Sequence, residues 1–386
     1  MSKVKNNNLV LIETEMIKFP TSQMYETDST TGLVITGTYT ISADQVKGVE
    51  VDDSTKADGL PLRYNSQYDK LIYWDGTSQV VIGIVADRGI FGGGTPSPYD
   101  GIEYISIGTL GNSSDFGNLT TGRQYITGTS NGTNDRGIFG GGLTTAVEES
   151  LIDYIAISSL GNSTTFGDLS ETKNEMASCS NGTNERGIFA GGRHTGTDRD
   201  TIEYVTINTT ANSDNFGSLT DPRSRLRGSS NATNERGLFW SGNNNGLNWN
   251  NDYITINTPG DAATFGDMVE RRDDSGATSS ATNNNAVDGG GYNGINGSLI
   301  KVERRNLLSL GNSVNHGDLT VERYYLDACS NGTSERAVFA GGYRTALPHA
   351  QDIMDYITIN SPGNASSFGT LSTTIYRHAG LSNSAD

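Results

Sequence analysis

The chain is poor in the residues that build metal centres and covalent staples: its 386 residues include two cysteines and four histidines. Cys179 and Cys329 are too few for a disulfide framework, and no pair among His194, His316, His349 and His378 has zinc-ligand spacing. Positive charge is scarce too. Lys and Arg number 27 against 44 Asp and Glu, a net charge of −17, so phosphate backbones and anionic membranes are repelled and nucleic acid is excluded as a partner. The acidity itself reads as solubility or adaptation to salt, with a basic partner as the alternative. No apolar run reaches the roughly eighteen residues of a membrane span, which predicts no membrane insertion. The opening "MSKVKNNNLVLIETEMIKFP" lacks the apolar core and cleavage pattern of a secretion signal. That predicts synthesis in a cytosol and makes the Asn-x-Ser/Thr triplets turn chemistry rather than glycosylation sites. There is no GxSxG elbow and no phosphate-binding loop. Paired carboxylates of the glycosidase kind stay open, because spatial pairing is invisible in a sequence.

Glycine, by contrast, reaches 49 residues, and one phrase recurs. "NGTNDRGIFGGG" begins at Asn131, "NGTNERGIFAGG" at Asn181, "NATNERGLFWSG" at Asn231 and "NGTSERAVFAGG" at Asn331. The residue opening its apolar part is Arg88, Arg136, Arg186, Arg236, a degenerate Asn285 and Arg336, giving steps of 48, 50, 50, 49 and 51. Such a period belongs to propellers, solenoids and arrays. Each unit adds a second β phrase, as in "IDYIAI" from Ile152, and a third ending in Phe-Gly at Phe116, Phe166, Phe216, Phe265 and Phe368, with His316 replacing Phe once. A basic residue then precedes a fourth phrase leading to Ser-Asn, as in "KNEMASCSN". Each unit therefore has four short strands, named a to d from the basic residue onward, with Asn-Gly expected to make a tight a-to-b hairpin.

Strand c carries apolar residues on both faces: Ile152, Tyr154 and Ala156 on one, Ile155 and Ile157 on the other. Such a sheet must be covered on both sides, which stacked blades achieve. The first unit lacks a strand a, whereas "RHAGLSN", Arg377 to Asn383, is a strand a with no b after it. Joining the two removes an open edge. The expectation is an all-β fold: a six-bladed propeller of four-stranded blades over residues 86–386, closed by its C-terminal strand, behind a small all-β domain at 1–85. In a ring, Cys179 and Cys329, three units apart, stand beyond the ~7 Å Cα limit of a disulfide.

The order of basic residue, strand, Gly-Gly strand and aromatic strand resembles the kelch or galactose-oxidase-type propeller repeat over residues 88–383, with Phe-Gly where kelch repeats have Trp. The copper set of galactose oxidase cannot be assembled from these residues. The Gly-rich repeats, and the stretch "LPLRYNSQYDKLIYWDGTSQ" from Leu60, also resemble structural fibre and appendage proteins of marine and cyanobacterial bacteriophages. That resemblance implies a virion protein whose N-terminal domain attaches it to other virion proteins or forms a homo-oligomer, a trimer if it is fibre-like.

Strand parity puts the a-to-b and c-to-d loops on one face, where sequences are monotonous, and the b-to-c and d-to-a loops on the other, where they vary. The chain enters and leaves the ring on the monotonous face, so the N-terminal domain is expected opposite the variable loops. Variation within a fixed frame marks adaptable binding surface, with loop drift as the alternative. Tyr99, Trp249, Tyr292 and Tyr343 offer flat faces for sugar rings, and Asp100, His194, Arg199 and His349 offer hydrogen bonds. No cofactor or metal is expected: the Asp-rich loop "HTGTDRDT" lacks calcium-loop spacing. The blade from Asn285 to Leu319 is an outlier, with Asp288, Arg304, Arg305 and His316 at aromatic or aliphatic positions; drift, a polar site and a subunit contact all remain open. The leading expectation is a non-enzymatic phage virion protein, a tail fibre, knob or decoration, made in the host cytoplasm and facing a host glycan or receptor. A polysaccharide-acting propeller enzyme and a kelch-like adaptor are the rivals.

Overall fold

The computed structural model describes residues 87–96, 99–145, 147–244, 246 and 250–384 in full, and seven strands of residues 1–86 by backbone pairing alone. The chain divides into two compact units, Met1–Ala86 and Asp87–Asp386. In the first, Asn8–Ile12 pairs with Glu15–Lys18, Tyr25–Asp28 pairs with Gly32–Ile35, and Arg63–Asn65, Lys70–Trp74 and Gln79–Ile82 form a three-stranded antiparallel sheet. The β phrase expected from Leu33 continues beyond Ile35 outside the described residues.

The second unit is a ring of six four-stranded antiparallel blades. Blade 2 shows the plan: strand a is Thr127–Ser130, b is Arg136–Gly140, c is Leu151–Ala156 and d is Thr164–Asp168. The corresponding a strands are Ala177–Ser180, Arg227–Ser230, Gly276–Ser279 and Asp327–Ser330 in blades 3 to 6. Blade 1 takes b, c and d from Arg88–Gly92, Gly101–Ser106 and Ser114–Asn118, and its a from Ala379–Ser382 at the other end of the unit. Ala379 pairs with Gly92 and Ser382 with Gly89, and Asn383 Oδ1 accepts from the Arg88 amide at 2.8 Å. The six a strands stand beside one another in ring order, and strand b of blade 1, which the N-terminal end of the ring leaves open, gains its partner from the closing strand. The all-β, six-bladed fold expected from the repeat is the fold observed.

Two local expectations change. The a-to-b connection is not a two-residue hairpin: Gly132–Asn134 forms a 3₁₀ turn, Asn131 has φ −96°, and Gly132 and Asp135 take the left-handed region. Asn131 Oδ1 closes that loop by accepting from the Arg136 amide at 2.6 Å. The second change concerns Arg377, expected to be the basic residue ahead of the closing strand. The residues Tyr125, Glu175, Arg225, Asp274, Tyr325 and Arg377 all have φ between 54° and 61°, so Arg377 belongs to that set. The position of Arg123, Lys173, Arg223, Arg272 and Arg323 is filled in the closing unit by Ile375.

That difference matters because the basic residue ties each blade to the next. Arg123 reaches Asp153 at 2.8 Å, Arg223 reaches Asp252 at 2.8 Å, Arg272 reaches Glu303 at 2.6 Å and Arg323 reaches Asp355 at 2.8 Å, with Lys173 and Glu203 as the fifth pair. All ten side chains are buried. The acid also binds the linker itself, as when Thr120 Oγ1 donates to Asp153 Oδ1 at 2.7 Å. At the sixth seam Glu103 takes the Ser372 amide at 2.9 Å, the Ser372 hydroxyl at 2.6 Å and the Ser113 hydroxyl, and Ile375 supplies no charge.

The Arg that opens strand b is a second tie. Its guanidinium lies over the Tyr of its own strand c, Arg136 on Tyr154 at 4.4 Å, and donates to a carbonyl of the next blade, Arg136 Nη1 to Ile207 O at 3.0 Å. Arg88, Arg186, Arg236 and Arg336 repeat the arrangement. Glycine serves close approach between blades: a Cβ on Gly117 would stand 2.3 Å from the Gly161 carbonyl oxygen.

Blade 5 departs by exchange across a seam. Elsewhere the Phe of strand b packs over a small residue closing strand b of the previous blade, Phe139 over Gly92 and Phe189 over Gly140. Between blades 4 and 5 the sizes are swapped, with Trp240 at the small position and Asp288 at the Phe position. Trp240 is buried, donates from Nε1 to Ser229 Oγ at 2.8 Å, and carries the Arg305 guanidinium on its ring at 4.8 Å. Asp288 accepts from Ser275 Oγ at 2.5 Å and lies 3.5 Å from Arg272. The outlier is thus a repacked seam.

Candidate functional site

On the variable face each d-to-a linker ends on the left-handed residue that precedes strand a, and these six residues bond to one another. Tyr125 N donates to Arg377 O at 2.8 Å, Glu175 N to Tyr125 O at 3.1 Å and Arg225 N to Glu175 O at 2.8 Å. Asp274 N donates to Arg225 O at 3.2 Å, Tyr325 N to Asp274 O at 2.7 Å and Arg377 N to Tyr325 O at 2.9 Å. The six bonds form a closed backbone ring at the axis, and only a positive φ at every member turns the amides that way. Non-glycine residues in that region carry strain, which persists where surrounding structure fixes it and often marks function.

The side chains of this ring divide into two halves. On one, Arg377 lies 4.3 Å from the Tyr125 ring and 4.4 Å from the Tyr325 ring, which meet edge to face at 5.7 Å. Burial and the facing Tyr325 push the Tyr125 hydroxyl upward in pKa. On the other half Arg225 gathers three acids: Glu175 at 3.3 Å, Asp273 at 3.6 Å and Asp274 at 3.9 Å. Burial raises Asp273, and burial together with Asp273 raises Asp274 well above the usual carboxylate range, against the pull of Arg225.

Outside the ring, short bridges join each linker to the first residue of a b-to-c loop, among them Asp273 to Tyr292, Tyr324 to Tyr343 and Tyr376 to Thr95. Across blades 5, 6 and 1 this makes a continuous aromatic strip. Tyr292 meets Tyr324 at 5.1 Å, Tyr324 meets Tyr343 at 5.6 Å, Tyr343 meets Tyr376 at 4.9 Å, and His349 stacks on Tyr343 at 5.1 Å with planes 6° apart. Tyr324 also reaches the axial Tyr325 at 4.6 Å. The rings are half-buried, with Tyr324 raised to about 12 chiefly by that burial.

The structure gathers three of the eight residues singled out from sequence, Tyr292, Tyr343 and His349, into this strip. His194 and Arg199 stand apart in the b-to-c loop of blade 3: His194 Nδ1 is 3.6 Å from Glu148, and Arg199 Nε is 3.0 Å from Glu171. Tyr99 packs half-buried against the core between blades 6 and 1, and Asp100 is exposed, its carbonyl taking the Leu119 amide at 2.7 Å. Trp249 lies outside the described residues. Sequence reasoning missed Tyr324, Tyr325, Tyr376 and the six-residue axial ring. Their signal was present: the residue before strand a reads Tyr, Glu, Arg, Asp, Tyr and Arg while the strand beside it repeats. Among the described residues no group of His, Cys, Asp and Glu is arranged to hold a metal ion. Both cysteines are buried, and burial raises the Cys179 thiol.

Fold and site together define a six-bladed β-propeller with one variable face, a form consistent with kelch-type propellers. No protein-family model matches the chain, and no curated protein matches it.

Proposed function

We propose that this chain is a non-enzymatic bacteriophage virion protein, a fibre, knob or decoration, whose variable face meets glycans on the host surface while the N-terminal unit attaches it to other virion proteins or to further copies of itself. The aromatic strip on that face carries the reading: adjoining half-exposed tyrosine faces suit the apolar faces of sugar rings, and their hydroxyls supply polar edges. The net charge of −17 argues in the same direction, against nucleic acid or anionic membrane as the target. Mass spectrometry of purified virions tests the setting, and adsorption of virions carrying Tyr324→Ala and Tyr343→Ala tests the face. Adsorption unchanged by the pair, with the fold intact, would remove the strip as receptor site.

One observation favours the second reading, a polysaccharide-acting enzyme. Glu175, Asp273 and Asp274 converge at the axis beside the strip, two of them with raised pKa, as acid–base pairs of glycosidases do. Arg225 bridges all three, which suits a structural cluster. Release of reducing ends from a polysaccharide, lost in Asp273→Asn, would support the enzyme instead.

A further inference from the structure

We propose that the strip takes a saccharide free of carboxylate, sulfate and phosphate groups, its ring over Tyr324 and Tyr343 and one hydroxyl or amino group donating to Asp273. This rests on the reading of the variable face as a glycan surface and names the class of glycan. Two independent observations carry it.

The first is the disposition of charge. An acidic sugar needs a free cation, and among the described residues each cation beside the strip is engaged. Arg344 holds Glu322 at 2.6 Å, Arg377 lies between tyrosine rings and donates to Gln124 at 3.1 Å, and Arg225 serves three acids. A carboxylate or sulfate arriving here would meet paired arginines and an acidic neighbourhood.

The second is a vacant acceptor. Asp273 is 2% exposed, and its Oδ2 accepts from Asn243 Nδ2 at 2.9 Å while Oδ1 has no hydrogen-bond donor. Its backbone exchanges two hydrogen bonds with Tyr292, at 3.1 and 2.8 Å, which sets the residue beside the end of the strip, while its carboxylate faces Asn243 and Arg225. A buried acceptor without a donor is costly, and a ligand that brings one recovers that cost. The side chain is shielded as a whole, so taking that donor requires Asp273 to swing out of its contact with Asn243 toward Tyr292. Sugars without acidic groups carry such donors beside an apolar ring face.

The test is binding of the full chain to immobilised dextran, mannan, chitosan oligosaccharides, alginate and dextran sulfate. The expected result is binding to at least one of the first three and to neither of the acidic pair, with Tyr324→Ala and Asp273→Asn each weakening it roughly tenfold or more and His194→Ala leaving it unchanged. Should Tyr324→Ala melt early, Asp273→Asn carries the same test with little change of shape. Alginate or dextran sulfate bound as tightly as the others overturns the class and leaves the glycan reading standing. Binding untouched by Asp273→Asn overturns the role of its acceptor. Binding to none of the five overturns the glycan reading and this inference with it.

Discussion

The unequal seams of the ring permit a comparison of two carboxylates that differ in one partner. Asp153 and Glu103 occupy the same place in strand c, and both tie the linker of the preceding blade through hydroxyl or amide donors. Asp153 faces Arg123 at 2.8 Å with both side chains fully buried, whereas the linker before Glu103 carries Ile375. Asp153→Asn would strand a buried guanidinium, a change that costs about 3–5 kcal/mol. Glu103→Gln strands no cation. Its amide oxygen can still accept from Ser372, so the loss is the difference between charged and neutral hydrogen bonds, about 1 kcal/mol. Urea unfolding of the full chain, followed by tyrosine and tryptophan fluorescence, should separate the two variants by about 2–4 kcal/mol on those estimates. Equal losses would show that the hydroxyl and amide bonds, rather than the cation, hold the seams. A larger loss at Glu103 would mean that this carboxylate has a role the ring geometry does not supply.

The exchange across the seam between blades 4 and 5 predicts strong coupling: Trp240→Gly leaves a cavity costing about 3–5 kcal/mol, Asp288→Phe overfills the same space, and the double variant, which restores the Gly-to-Phe packing of the other seams, should be more stable than the sum of the two, by double-mutant cycle. Burial raises the Asp288 carboxyl to about 7 against the pull of Arg272, so the unfolded chain releases that proton first and stability falls as pH rises from roughly 4 to 7. Asp288→Asn should flatten that part of the pH–stability curve, and an unaltered slope would assign it to other groups. Ending the chain before Ile375 removes the closing strand and exposes the Arg88–Gly92 edge, so aggregation is expected by light scattering, and a soluble monomer would show that five and three-quarter blades suffice.

The ring was legible because its determinants are local and repeated. A period near fifty, four β phrases per unit and a strand a lacking its b at the C-terminal end define six blades without knowledge of any contact, and strand parity then sorts the loops by face. The closing strand was placed correctly while its first residues were misassigned. A basic residue two positions from the expected one looks equivalent in sequence, and only the left-handed backbone shared by Tyr125 and its five counterparts puts Arg377 at the axis. Blade 5 stayed open between drift, a polar site and a subunit contact for a related reason. Trp240 and Asp288 are exceptions in different repeats, and they make sense only once stacking sets one blade's small position against the next blade's large one.

The site was the least legible part, since nothing local unites its members. Tyr292 and Tyr343 stand in b-to-c loops, where variation drew attention. Tyr324, Tyr325 and Tyr376 stand in linkers whose neighbours in the chain are monotonous. The structure joins them because the positive φ at the end of each linker turns it toward the axis, and the bridges from Asp273 to Tyr292 and from Tyr324 to Tyr343 bring the varied loops beside it. The repeat therefore fixes where the backbone places a side chain on this face and leaves its chemistry free. Two halves of opposite character can then share one frame: tyrosines around Arg377, and acids around Arg225. A propeller built this way can change what it binds by substitution at the linker ends and in the loops they bridge, while the buried ion pairs that hold its blades together stay untouched.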